Sequence, residues 1–150
     1  MTADPTCTFC KIISKEIPSE SVYENEFVSA FLDINPVNPG HLLVVPKEHY
    51  PDFLSTPDPI IKEVVAVTHK LAGPMMKATD ATAFNIAVNS GHDAGQAVAH
   101  MHMHLIPRHH QDGHHMWPGK PYQPGEMAAI RSNLQAELQI QGDATPTFDA

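Results

Sequence analysis

His100-Met101-His102-Met103-His104-Leu105-Ile106 is the stretch whose reading decides the fold. Histidine and an apolar residue alternate three times, and two apolar residues close the run. Side chains at i, i+2 and i+4 share a face in a β-strand, so this pattern puts three imidazoles on one side. Met101, Met103 and Leu105 take the other side and suit a core. A helix would scatter the same histidines around its circumference. Pro107 has no amide to give to a ladder, so the strand is expected to end there. Imidazole is the commonest metal ligand and also a nucleophile and general acid–base group near neutral pH. The run therefore reads as a metal site, as a nucleophilic site, or as a histidine-rich surface strand.

The composition narrows the partners. At 150 residues and 42% hydrophobic, the chain suits one compact domain, expected over residues 1–142. Its core is expected at 7–108, a loop and C-terminal helix at 109–140, and a frayed tail at 143–150. Lys and Arg number 9 against 17 Asp and Glu, a net charge of -8 with no basic stripe. Polymeric nucleic acid is a poor partner for such a chain, although local donors can still hold one small phosphate ligand. Met1-Thr2-Ala3-Asp4-Pro5 lacks the basic and apolar regions of a signal peptide. No apolar stretch approaches the roughly 18 residues of a membrane span, so no membrane partner is expected. Two cysteines without a leader argue against a disulfide scaffold, and a cytoplasmic location is expected.

Working outward from the histidines, Ser21–Asn25 and Glu26–Asp33 read as a two-stranded hairpin, the second strand alternating Phe27, Ser29 and Phe31 against Val28, Ala30 and Leu32. Asp33 then opens the turn-rich Ile34-Asn35-Pro36-Val37-Asn38-Pro39-Gly40, where a carboxylate ordinarily accepts backbone amides. His41-Leu42-Leu43-Val44-Val45-Pro46 reads as a continuously apolar strand, opened by His41 and buried on both faces. From Pro57 to about Lys77 the apolar residues recur at helical spacing, and Gly73-Pro74 should end or kink that helix. Residues 81–89 form the next strand. Ser90 to Ala99 carries Gly91 and Gly95, which permit tight turns and close approach of backbone amides to a phosphate. Lys11 to Glu16 suits a short helix, and Met127, Ile130, Leu134 and Leu138 mark an amphipathic one near the C-terminus. The fold class is α+β: an antiparallel sheet of about five strands, one long helix and a C-terminal helix.

Cys7-Thr8-Phe9-Cys10 admits three readings. It is a redox pair outside the βαβ context such pairs occupy, two unrelated thiols, or half of a tetrahedral zinc site whose other ligands lie elsewhere.

The run His-φ-His-φ-His-φ-φ, with φ apolar, resembles the signature of the histidine triad (HIT) family of nucleotide hydrolases and transferases. Asp33-Ile34-Asn35-Pro36-Val37-Asn38-Pro39-Gly40-His41 is similar to the family pattern as well, and the resemblance covers about residues 7–108. It implies a HIT-like fold and a homodimer, with a purine nucleotide as substrate. It implies catalytic roles for His102, as nucleophile, and for His104, His41 and His100. Nucleotide contacts are implied at Phe9, Ile12, Asp33, Ile34, Asn89, Gly95, Gln96 and Ala97, with the Asp33 carboxylate accepting the ribose hydroxyls. It implies a structural zinc held by Cys7, Cys10, His49 and His100, and no organic cofactor. Many members carry Ser or Thr where this chain has Ala97, so a hydroxyl that would assist the leaving group is missing. Trp117-Pro118 resembles the tail of the Hint branch, at a longer spacing from the triad.

The chemistry that follows is nucleophilic. A phosphorus shielded by negative oxygens needs positioning and charge neutralisation more than nucleophilic strength. His102 would attack the α-phosphorus of a nucleoside phosphoramidate or acyl-nucleotide, and water would then hydrolyse the nucleotidyl-imidazole to AMP or GMP. His104 and His41 would hydrogen-bond the non-bridging oxygens. Two alternatives remain: a Fhit-like dinucleoside polyphosphate hydrolase, which would carry Gln at Asn89, and a hydrolase using the three histidines as ligands of a catalytic metal.

Overall fold

The computed structural model describes residues 3–142, so the expected tail at 143–150 lies outside the described residues. The chain divides into two compact units, the first ending at Asp112 and the second beginning at Gly113.

The first unit is built on five strands: β1 (Ser21–Glu24), β2 (Val28–Leu32), β3 (Leu42–Pro46), β4 (Ala83–Ala87) and β5 (Met103–Arg108). They form one antiparallel sheet in the order β1-β2-β3-β5-β4. The continuously apolar β3 lies at its centre, and every residue of it is buried. Its neighbour on one side is β2, and on the other β5 pairs Leu105, His104 and Met103 with Leu42, Leu43 and Val44. His41 and His104 therefore arrive side by side at one end of the two central strands.

Helix α1 (Thr8–Ile13) starts and stops earlier than the expected Lys11–Glu16, because Cys7 serves as its N-cap and Lys15 adopts a positive φ of 66° just beyond it. Helix α2 (Asp58–Thr79) buries Val64, Val67, Thr68, Leu71, Ala72 and Met75. These pack with Val28, Ala30, Leu42, Val44, Met101, Met103 and Leu105 in the main core. A smaller cluster joins Cys7, Phe9 and Cys10 of the α1 region to Phe31, Leu43 and Val45 on the other face of the sheet.

Neither Pro74 nor Pro107 ends its element. Gly73-Pro74 lies inside α2, which runs on to Thr79 and ends where Asp80 takes a left-handed conformation. The single amide donor lost at Pro74 falls opposite Lys70, an exposed residue whose carbonyl water can satisfy. Pro107 lies inside β5, which starts only at Met103. The Pro107 carbonyl accepts from Asn38 Nδ2 at 2.9 Å. In an antiparallel strand a residue's nitrogen and carbonyl face the same side, so the missing amide is not one that β4 needs. His100 and His102 consequently sit in irregular backbone ahead of β5, with Met101 N–H donating to the Tyr50 carbonyl at 2.6 Å. Strand β4 is also shorter than the expected 81–89.

The second unit contains helix α3 (Glu126–Ile140), at the place the apolar spacing marks.

Candidate functional site

Two clusters of chemistry-bearing residues form around the triad segment, and backbone partners fix the proton on His41, His100 and His102. An amide can only donate and a carbonyl can only accept, which settles tautomers that distances alone leave open.

The first cluster joins Cys7, Cys10, His49 and His100, whose ligand atoms lie within 4.8 Å of one another. The C-x-x-C places Cys7 at the N-cap of α1 and Cys10 in its first turn, so both sulfurs fall on one side of the helix start. His100 is fully buried, and its Nε2–H donates to the Pro46 carbonyl at 2.9 Å. Its bare Nδ1 therefore faces the sulfurs, 3.4 Å from Cys7 and 3.6 Å from Cys10. His49 Nδ1 lies 3.4 Å from the Cys10 sulfur. A tetrahedral zinc with Zn–S near 2.3 Å and Zn–N near 2.0–2.1 Å would separate its ligands by about 3.3–3.8 Å. The donor set and spacing fit such an ion. The surroundings fit it too: Asp4 N–H donates to the Cys10 sulfur at 3.4 Å, and the Pro46 carbonyl orients His100 from behind. Burial pushes the Cys10 thiol up, a cost that a bound cation would remove.

The second cluster is His41, His102 and His104 with Asp33. His102 Nδ1–H donates to the His100 carbonyl at 2.7 Å, which leaves Nε2 bare and nucleophilic. Burial lowers the His102 pKa, against smaller opposing effects of that carbonyl and of Asp33, and keeps the ring neutral. The Val37 amide donates to His41 Nδ1 at 3.1 Å, so the proton of His41 is on Nε2. That Nε2–H donates to His104 Nδ1 at 2.9 Å, so the proton of His104 is on its own Nε2. His104 Nε2 is buried without a protein partner among the described residues, an unmet donor beside the bare nitrogen of His102. The His102 and His104 rings lie 4.8 Å apart between centroids. Burial, with His102 and His41 alongside, holds His104 down to about 4, so the ring offers a ligand a neutral N–H rather than a cation.

The arrangement weighs on the metal-hydrolase alternative. Asp33, His41 and His104 also come close enough to surround an ion, which the sequence spacing of Asp33 conceals. His41, however, has its Nδ1 lone pair on the Val37 amide and its Nε2–H on His104, so it has no lone pair left to give.

The remaining expected contacts are distributed as follows. Asp33 Oδ1 caps the turn by accepting Asn35 N–H at 2.8 Å, and its Oδ2 lies 3.8 Å from His41 Nδ1. Phe9 is buried with its ring against His102 at 5.1 Å, His100 at 5.8 Å and Phe31 at 5.6 Å, so it supports the histidines directly. Ile12 is half-buried at the edge of the smaller core, and Ile34 is 90% exposed. Asn89 Nδ2 lies 3.9 Å from the position a Cβ on Gly95 would take, and Gly95 adopts a φ of +86° that closes the short 3-10 turn His92–Ala94. Gln96 is spent inside the protein. Its Oε1 accepts Gly91 N–H at 2.8 Å, its Nε2 donates to the carbonyls of Pro51 at 2.6 Å and Val98 at 2.9 Å, and its own amide donates to Gly91. The next three amides, of Ala97, Val98 and Ala99, donate to no protein acceptor among the described residues. They are the backbone donors available just ahead of His100.

Sequence reasoning missed Val37, whose contribution is a backbone amide, and the set Asn38, Arg108 and Asp112 that surrounds the His41 turn. The i,i+4 spacing of Arg108 and Asp112 was the available signal for the latter.

With this geometry in hand, the comparisons with known proteins agree on a class. The family model described as HIT domain matches residues 14–111, and the chain belongs to that family. It is 39% identical over 111 residues to an adenylylsulfatase of Arabidopsis thaliana, covering 74% of this chain and 56% of that protein, little more than half its length. It is 34% identical over 140 residues to an adenosine 5'-monophosphoramidase of Saccharomyces cerevisiae, covering 92% of this chain and 86% of the relative. Among solved structures, a HIT family member from Bacillus subtilis superimposes with a TM-score of 0.82 at 36% identity, over 94% of this chain and 99% of that one. A zinc-bound histidine triad family protein from Mycobacterium smegmatis does so with a TM-score of 0.71 at 32% identity, over 88% and 97%.

Proposed function

We propose that this protein hydrolyses purine nucleoside phosphoramidates or acyl-nucleotides at the α-phosphate through a nucleotidyl intermediate on His102. The observation that carries the reading is the proton placement around the triad. His102 offers a bare Nε2, its ring oriented by the Nδ1–H bond to the His100 carbonyl, next to the His104 Nε2–H, which has no partner among the described residues. A nucleophile and a donor for developing negative charge thus stand side by side without any rearrangement.

In the first step the Nε2 lone pair of His102 forms a bond to the α-phosphorus, and the leaving group departs with the electron pair of the bond that breaks. The His104 N–H strengthens its hydrogen bond as charge grows on a non-bridging oxygen, and His41 holds His104 in the donating tautomer. In the second step water displaces His102 and releases the nucleoside monophosphate. Asp33 Oδ2, the oxygen not used by the Asn35 amide, is available to the ribose hydroxyls. With Ala97 in place of a hydroxyl residue, the leaving group has only backbone amides near it. That favours a leaving group stable as an anion, such as the sulfate of an adenylyl sulfate, or one that leaves as a neutral molecule after taking a proton from solvent, such as the amine of a phosphoramidate. The named activities of the Arabidopsis and yeast relatives support both.

The reading includes a structural zinc at Cys7, Cys10, His49 and His100, which would tie the start of α1 to the segment that carries His102. It also includes a homodimer: β4 is an edge strand with Phe84 and Ile86 exposed, and α2 exposes Val65. The test is a substrate panel comparing kcat/KM for adenosine phosphoramidate, adenylyl sulfate, lysyl-AMP, guanosine analogues and diadenosine polyphosphates. The phosphoramidate or an acyl- or sulfo-nucleotide should lead it, and a preference for diadenosine polyphosphates would overturn the choice of substrate.

A further inference from the structure

We infer that Asn38 and Asp112 are positioning residues that lock the His41–His104 pair in the tautomer that presents the His104 N–H to substrate. The inference rests on the reading of His104 as a donor to the phosphate. Asn38 sits in the turn that delivers His41, and it is buried at 9% exposure. Its backbone carbonyl accepts the His41 amide at 3.1 Å. Its side-chain Nδ2 uses both hydrogens: one reaches the Pro107 carbonyl and the other Asp112 Oδ2, each at 2.9 Å. Pro107 lies three residues beyond His104 on the same strand. Asn38 thus pins the turn bearing His41 to the strand bearing His104.

Asp112 is held firmly in turn. Arg108 grips it with two hydrogen bonds, Nε to Oδ2 at 2.7 Å and Nη2 to Oδ1 at 2.9 Å, and the His109 amide adds a third at 3.2 Å. Arg108 Nη1 anchors the assembly to Asn85 on β4 at 2.7 Å. Apolar packing alone would hold the turn against the sheet, but it is non-directional. A chain of two hydrogen bonds, from the Val37 amide through His41 to His104, depends on angle and on tenths of an ångström. A buried, mutually satisfied polar network supplies that directionality. When it loosens, the Val37 amide drifts from His41 Nδ1, the proton of His41 is free to move to Nδ1, and His104 no longer has to carry its proton on Nε2.

The experiment is ring nitrogen–proton correlation NMR on the full-length protein labelled with 15N-histidine, for wild type, Asn38→Ala and Asp112→Asn. On the same samples, kcat and KM are measured with adenosine phosphoramidate. In the wild type His41 and His104 should each show a single Nε2–H tautomer. In Asn38→Ala both rings should show averaged shifts, while His102 keeps its Nδ1–H signature. The value of kcat should fall on the order of 10²-fold, the scale of a small misplacement in an active site. KM should stay within about twofold, because the donor is used in the transition state. Asp112→Asn keeps an acceptor for Asn38 but weakens the Arg108 grip, and should fall between. Unchanged tautomers in folded Asn38→Ala overturn the inference, as does a KM that rises as much as kcat falls. Should Asn38→Ala fail to fold, the ring shifts of Asp112→Asn decide alone. The spectra need no turnover, so shifted tautomers in a protein without hydrolase activity would support the brace and count against the proposed function.

Discussion

Gly40→Ala tests the account of how His41 is placed. Gly40 ends the turn before β3 with a φ of +95°, which L side chains rarely adopt. An added Cβ would collide with Thr79 Cγ2 at the C-terminal end of α2, and would lie 3.6 Å from Pro107 Cγ. The backbone penalty is about 1–3 kcal/mol for a sparsely populated φ. Overpacking against the methyl adds about 1–3 kcal/mol. Together they consume a large share of the roughly 5–15 kcal/mol that stabilises an ordinary domain. Thr79→Ser separates the two parts. It removes Cγ2 and keeps the hydroxyl bond to the Met75 carbonyl at 2.9 Å, at a loss of at most about 0.8 kcal/mol for one half-buried methyl. Urea unfolding of wild type, both single variants and the double variant closes a cycle whose coupling should be about 1–3 kcal/mol in favour of the double variant. The φ penalty should remain. A Gly40→Ala protein within about 0.5 kcal/mol of wild type would refute the reasoning, since that is the range of an ordinary surface change. A cycle with no coupling would refute the collision.

Other consequences are as direct. Purified protein should carry one zinc per chain, and Cys10→Ser should lower both zinc content and Tm; metal analysis finding no zinc in protein prepared without chelator would reject the site. Stability should fall as the pH drops from 6.5 toward 4, because the unfolded His104 takes a proton at its ordinary pKa of 6.5 while the folded ring resists to about 4. Unfolded protein binds more protons in that window, so stability there rises with pH, by up to about 3 kcal/mol for this ring. Urea midpoints at several pH values for wild type and His104→Gln should differ in slope accordingly, and equal slopes would contradict it. The acid limb of kcat/KM should likewise lie below pH 6.5, since burial lowers the His102 pKa. Sedimentation should show a species of twice the 16.4 kDa chain, and a monomer at high micromolar concentration would contradict the dimer.

The sheet was legible because β3 is apolar throughout and β2 alternates, and both patterns survive any tertiary context that buries them. The end of β5 was not: Pro107 breaks a ladder only if its nitrogen faces a partner strand, and which way it faces is decided by pairing. Pro74 likewise falls where the lost bond is tolerable. The cysteine pair illustrates the limit most clearly. From spacing alone Cys7 and Cys10 are compatible with redox, free or zinc-binding thiols, and only the fold brings His49 and His100 to them from 39 and 90 residues away from Cys10. The protonation pattern of the triad was invisible for a related reason. It depends on the carbonyls of Pro46 and His100 and the amide of Val37, and backbone groups are the same in every sequence.

The central claim is that His102 forms a covalent bond to phosphorus. Rapid quench with a fluorogenic adenosine phosphoramidate, followed by peptide mapping, tests it. The account predicts an acid-labile adenylated peptide spanning residues 100–106 with the nucleotide on His102. His102→Ala should lose several orders of magnitude in kcat, on the order of 10⁴–10⁶ as when other covalent nucleophiles are removed, while still binding AMP. Nucleotide trapped on another residue would contradict it, as would a His102→Ala protein that turns over near the normal rate and is stopped by EDTA.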